Sequence, residues 1–153
     1  MAITSCLTNT FKEELLQGHH SFNASGDTPA GSAFKIALYT SSADLDTTTT
    51  VYTTSAEVAS GGGYTTAGEA LTNTGVAKST TTSYTDFSDV SWTSASFTAR
   101  GCMIYNSSTI SGLTTDASVA IIDFGGDKTV SSGTFTIQFP TNDSSDAIIR
   151  ITS

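Results

Sequence analysis

The sequence predicts an all-β protein: an antiparallel β-sandwich or barrel-like domain, preceded by an N-terminal arm with one short helix. Three observations carry this. Ser and Thr make up 52 of the 153 residues; Thr suits strands through its branched β-carbon, and Ser suits turns. About seven to nine alternating or continuous apolar segments are separated by polar and glycine-rich turns. Helical periodicity occurs only at the N-terminus, so the regular exchange of strand and helix that marks a parallel α/β sheet is missing.

Taken in order, residues 1–22 form the arm and helix, and residues 23–153 a single β domain. Ile3, Leu7, Phe11 and Leu15 recur at every fourth residue, a spacing that places them on one helical face. Thr10 and Glu13 match a capping box, and Gly18 supplies the left-handed residue that ends a helix, predicting one over 11–17. A helix this short is unstable alone. Its apolar stripe must dock on the sheet or on a neighbouring subunit, which makes Ile3, Leu7, Phe11 and Leu15 the candidate interaction residues.

Residues 23–32 read as a loop. Over 33–40, Phe34, Ile36 and Leu38 alternate with Lys35, Ala37 and Tyr39, so one side faces a core. A polar run at 47–50 precedes the apolar pair Val51 and Tyr52, and Gly61, Gly62 and Gly63 read as a flexible turn. Short strands are expected over 71–76 and 82–90. A long one is expected over 92–105, with a bulge or bend at Arg100–Gly101. After a turn at 106–108, an apolar strand over 118–124 runs into a second turn at Gly125, Gly126 and Asp127. Strands over 134–139 and 147–152 close the domain.

Composition excludes several functions. The net charge is −8 with only six Lys and Arg, which supplies no basic stripe for nucleic acid and no attraction to an anionic membrane. No apolar run approaches the roughly 18 to 20 residues needed to span a bilayer. The N-terminus lacks a secretion signal, so assembly in a cytoplasm is expected. Charged residues are 13% of the chain against a usual value of about 25%. A hydroxyl surface with so little charge suits a protein that lives in an assembly. Cys6 and Cys102 are expected to be unpaired, reduced thiols.

Candidate chemistry is sparse. His19 and His20 are adjacent, so as strand neighbours they would point to opposite faces; a solvated or interface-facing helix terminus is the expected reading. The acidic pairs Asp44/Asp46, Asp86/Asp89, Asp123/Asp127 and Asp143/Asp146 read as turn acids capping backbone N–H groups. Asp123 and Asp127 flank Gly125–Gly126 and are the nearest approach to a calcium loop, yet calcium takes about six to eight oxygens. Trp92 belongs to the core instead of a sugar platform. No Gly-x-Ser-x-Gly elbow occurs, and Gly125-Gly126-Asp127-Lys128-Thr129 lacks the leading glycine of a phosphate loop. No enzyme, cofactor or metal is expected.

The chain resembles a family of small virion structural proteins of tailed bacteriophages. The likeness lies in Phe11-Lys12-Glu13-Glu14-Leu15-Leu16-Gln17-Gly18, Phe34-Lys35-Ile36-Ala37-Leu38-Tyr39-Thr40-Ser41-Ser42 and Ala99-Arg100-Gly101. It continues through Ile104-Tyr105-Asn106-Ser107-Ser108, Asp123-Phe124-Gly125-Gly126-Asp127-Lys128 and the ending from Phe139-Pro140 to Ile149-Arg150-Ile151. The segment between Gly18 and Phe34 is longer than that pattern, with an insertion around 28–31, and Cys102-Met103 replace aliphatic residues. The resemblance implies no catalytic residues. It implies a capsid decoration (cement) protein, a homo-oligomer and by family pattern a trimer, which bridges major capsid subunits through its N-terminal arm. The alternatives are a tail tube, terminator or baseplate component, and then a receptor-binding or fibre module. The expected location is the virion.

Overall fold

The computed structural model describes residues 2–24 and 30–153. The loop expected over 23–32 and the insertion around 28–31 thus fall partly outside the described residues. Eight strands and one helix follow in the order β1 (Cys6–Leu7), α1 (Asn9–Leu16), β2 (Phe34–Tyr39), β3 (Glu69–Leu71), β4 (Asn73–Ser79), β5 (Thr82–Phe87), β6 (Val90–Asn106), β7 (Ala117–Ile137) and β8 (Ile149–Thr152). They form two antiparallel sheets, β1-β7-β6-β2-β3 and β4-β5-β8. The architecture is a sandwich and not a closed barrel, which resolves the two forms expected.

Strands β6 and β7 form a single long hairpin, paired from Val90↔Ile137 to Asn106↔Ala117. The turn expected at Gly125–Asp127 does not reverse the chain. Arg100 alone on β6 faces the four residues Phe124–Asp127 on β7, a bulge between the pairs Ala99↔Lys128 and Gly101↔Asp123. Gly125 takes φ +73° inside it. The Asp123 carboxylate accepts from Gly125 N at 3.0 Å and from Arg100 Nε at 2.8 Å, closing the excursion. The bulge read at Arg100–Gly101 is therefore present, with most of its extra chain on the opposite strand.

A second bulge leaves Val119 unpaired between Ile104↔Ala120 and Tyr105↔Ser118. There the helix begins. Thr8 Oγ1 donates to Ser118 O at 2.7 Å, Thr8 N donates to Val119 O at 3.1 Å, and Phe11 N donates to Thr8 Oγ1 at 3.3 Å. The N-cap is Thr8, two residues before the expected Thr10, because the bulged carbonyls fix Thr8 and leave Thr10 on the first turn. The other end follows expectation. Gly18 sits at φ +79°, with Gly18 N bonded to Leu15 O and His19 N to Glu14 O, the paired bonds of a Schellman ending.

The five-stranded sheet is buried on both faces. Phe34, Ile36 and Leu38 point into the main core with Phe11, Phe22, Phe87, Trp92, Ile104 and Ile149, between the sheets and beneath the helix. Ala37 and Tyr39, expected to face outward, pack with Ile3, Ala43, Leu45, Met103, Tyr105 and Ile121 in a second core. That face is covered by the N-terminal segment and by part of the long connection between β2 and β3. The glycine run in this connection forms the expected turn, with Gly61 and Tyr64 bonded to each other, and it lies in close contact with β6. A Cβ on Gly63 would stand 2.7 Å from Thr93 O, and one on Gly62 would overlap Ser96 O.

Candidate interaction surface

The four residues singled out for partner binding are spent inside the chain. Ile3 bridges Leu45 in the second core. Leu7 lies in β1, paired with Ala120 on the edge of β7. Phe11 is fully buried in the main core, and Leu15 packs against it half-buried. The segment is extended up to Thr8 and helical only afterwards, so the four do not share a helical face. Spacing of four fits both an extended and a helical run, and the extended run won because β7 offered a free edge. The apolar helix residue left outside is Leu16, 91% exposed.

The histidine pair is also built in. His20 is buried, edge-on to Phe11 at 5.0 Å. Its Nε2 lies 3.2 Å from Glu14 Oε2 and its Nδ1 3.0 Å from Asn106 Nδ2, while Glu14 Oε1 accepts from Thr114 N at 2.7 Å. A neutral ring protonated at Nε2 satisfies both contacts. Burial depresses the His20 pKa, and the nearby Glu14 carboxylate only partly opposes this. The helix terminus, expected from sequence to be solvated or to face an interface, instead carries at His20 a buried polar tie joining helix, following turn and the end of the β6–β7 hairpin.

Two more carboxylates are internal ties. Glu57 accepts from Tyr52 and Tyr64 hydroxyls, each at 2.6 Å, and from Ala67 N at 2.8 Å. Tyr64 also accepts from Leu38 N. Burial raises the pKa values of Tyr39, Tyr52 and Tyr64, and pushes that of Tyr105 up to about 12. These hydroxyls therefore stay protonated and donate. Asp86 is fully buried and accepts from Phe87 N and Ile148 N, at 2.8 and 3.1 Å, with its pKa raised by burial. Sequence reading passed over Glu14 and Glu57 because neither belongs to a spaced motif; it read Asp86 as a turn acid capping backbone N–H groups, and the capping holds but from a buried strand position. The available signal was Asp86's place between Thr85 and Phe87 in a strand.

Among the other acids, Asp46 and Asp143 cap local turns as expected, whereas Asp89 and Asp44 tie segments distant in the chain. Asp46 accepts from Thr48 N, Asp143 from Ser145 N and Asp146 N, Asp89 from Phe139 N, and Asp44 from Ala2 N. Asp123 is held by Arg100 and Gly125, and the Arg100 guanidinium lowers its pKa. Among the described residues, no three His, Cys, Asp or Glu side chains converge as metal ligands. Cys6 and Cys102 are free thiols. They belong to different cores on opposite faces of the sheet, and burial raises the pKa of Cys102. Trp92 lies in the main core, as expected.

Two apolar hollows remain open. One of about 530 Å³ runs along β7 and is lined by Ile122, Phe124, Phe135, Ile137, Phe139 and Ile148. The other, of about 390 Å³, lies between the helix end and the small sheet, where Val76 and Ile151 are 60% and 61% exposed. Sequence reading missed both, since each combines residues distant in the chain. The outer faces of the strands carry hydroxyl pairs: Thr98 with Thr129 and Ser91 with Thr136, each at 2.8 Å. Comparison with protein-family models, curated proteins and solved structures returns no match to this chain.

Proposed function

We propose that this chain is a structural component of a tailed-phage particle, a decoration protein that acts by packing against the major capsid protein and carries out no chemistry. The observation that supports this best is where its reactive groups sit. His20, Glu14, Glu57 and Asp86 are buried and bonded to the chain's own groups, so they tie segments together instead of meeting in a cleft. The outer strand faces offer hydroxyls and few charges, a surface cheap to desolvate against a protein neighbour. The ordered resemblance to small virion proteins points the same way.

The attachment differs from that expected of a free arm. With Ile3, Leu7 and Phe11 committed to the chain's own sheet and cores, contact with the shell falls to the strand faces and the open hollows. The test is quantitative mass spectrometry of purified particles, with heads and tails separated. A decoration protein is present in heads at a copy number comparable to the major capsid protein. Recovery in tails alone assigns it to the tail instead. Absence from particles overturns the proposal.

A further inference from the structure

We infer that the outer edge of β7 over 133–137 is a self-association surface, at which a second copy adds its own β7 antiparallel across a two-fold axis. The inference rests on backbone chemistry and stands whether or not the chain belongs to a virion.

The two edges of the five-stranded sheet are treated differently. At the β2 side, β3 pairs with Phe34–Ile36. Beyond it, Val58 N donates to Leu38 O, Leu38 N donates to the Tyr64 hydroxyl, and Thr40 N donates to Ala56 O. At the β7 side, β1 pairs only with Ala120 and Ile121, and Ser5 Oγ accepts from Asp123 N. Past that point, among the described residues, no strand lies against β7. A bare strand edge is a template for another strand, and natural edges are usually guarded by charged side chains. In a chain of net charge −8, residues 129–142 carry no charged side chain. Over 133–137 the edge carries no charge of its own, although Lys128 lines the hollow beside it and Asp89 holds Phe139 N at its end.

The hollow of about 530 Å³ opens beside the same edge, with Phe135 and Ile137 in its wall. A strand that fits here must put apolar side chains toward the hollow at alternate positions and hydroxyls on the other side. β7 has this pattern itself: Phe135 and Ile137 pack inward against the main core, while Thr134 and Thr136 are exposed. Antiparallel pairing of β7 with its copy therefore satisfies both edges and closes both hollows at once, as an isologous contact does. The bulge at Ser131–Ser132, with Ser132 at φ +50°, ends the pairing on one side; Pro140, which has no N–H, ends it on the other. Two-fold closure gives a dimer, in contrast with the three-fold association that the phage resemblance implies.

The test measures the mass of the full chain in solution over a concentration series, beside the variants T134K/T136K and T134E/T136E. The wild type is expected to be a dimer. Each variant is expected to associate about a hundredfold more weakly, because like charges meet across the axis, with an unchanged far-ultraviolet spectrum. Mixing the two variants is expected to restore a heterodimer, seen by native mass spectrometry. A wild-type monomer at every concentration, a closed trimer, or a dimer that survives the substitutions overturns the inference, as does a mixture that stays monomeric.

Discussion

A Cβ built on Gly68 would overlap the carbonyl oxygen of Ile36, and the residue sits at φ +66°. Both facts forbid a side chain. Gly68→Ala is expected to cost roughly 2 to 4 kcal/mol, read as a lower urea midpoint. Gly126, in the β7 bulge, has nothing within 4 Å of its added Cβ and no positive φ. Gly126→Ala is expected to stay within about 0.5 kcal/mol of wild type. His20 gives a pH dependence. Its folded pKa lies below the unfolded value of 6.5, so below that pH the unfolded chain binds a proton that the folded one refuses. Stability from this group is intact above pH 6.5 and falls as pH drops toward the folded pKa. Asp86, whose folded pKa is raised above 3.8, contributes with the opposite sign in the acid range. Comparing unfolding midpoints of wild type and His20→Gln at pH 7.5 and 5.5 isolates the histidine: the wild type should lose more stability between the two.

At the scale of elements, the helix start is the sharpest test. Thr8 caps α1 and also bonds the Val119 bulge, so Thr8→Ala removes a cap and leaves a buried carbonyl short of a donor. The expected loss is about 1 to 3 kcal/mol by thermal or urea unfolding, whereas Thr10→Ala is expected to be nearly neutral. Equal losses at the two positions would mean the cap is misassigned. Deletion of residues 2–17 is a larger change. It strips β1 from β7 and removes Phe11 and Glu14 from the buried side of His20. The truncated chain is expected to lose its cooperative unfolding transition, an outcome opposite to that of a detachable arm. These elements also show what sequence can reveal. Phe34, Ile36 and Leu38 were legible because strict alternation has one structural reading. Their neighbours Ala37 and Tyr39 were not, because a second cover over the sheet comes from distant loop residues such as Leu45. Gly125–Gly126 looked like a reversal because glycine marks turns and bulges alike, and only the resumption of β6–β7 pairing on both sides of the bulge decides between them. The bare edge of β7 was the least legible part, since it depends on which strand the fold leaves unpaired.

For the whole molecule, burial on both faces of one sheet makes the two thiols reporters of different events. Cys102 is fully buried in the main core, with burial raising its pKa, so reagent reaches it only when the sandwich opens. Cys6 is half-buried near the sheet edge and packs with the second core. Burial raises its pKa too, which slows reaction without blocking access. Native protein treated with iodoacetamide is therefore expected to take one alkyl group, at Cys6, and to take the second only in denaturant. Because the thiols lie on opposite sides of the sheet, mild oxidation of native protein should form no internal disulfide. Labelling of Cys102 should then follow the global unfolding equilibrium, rising in parallel with the destabilisation caused by Gly68→Ala or Thr8→Ala. If Cys102 instead reacts as fast as Cys6 in the native chain, the two-core arrangement is wrong, and with it the assignment of the N-terminal segment as an integral part of the sheet.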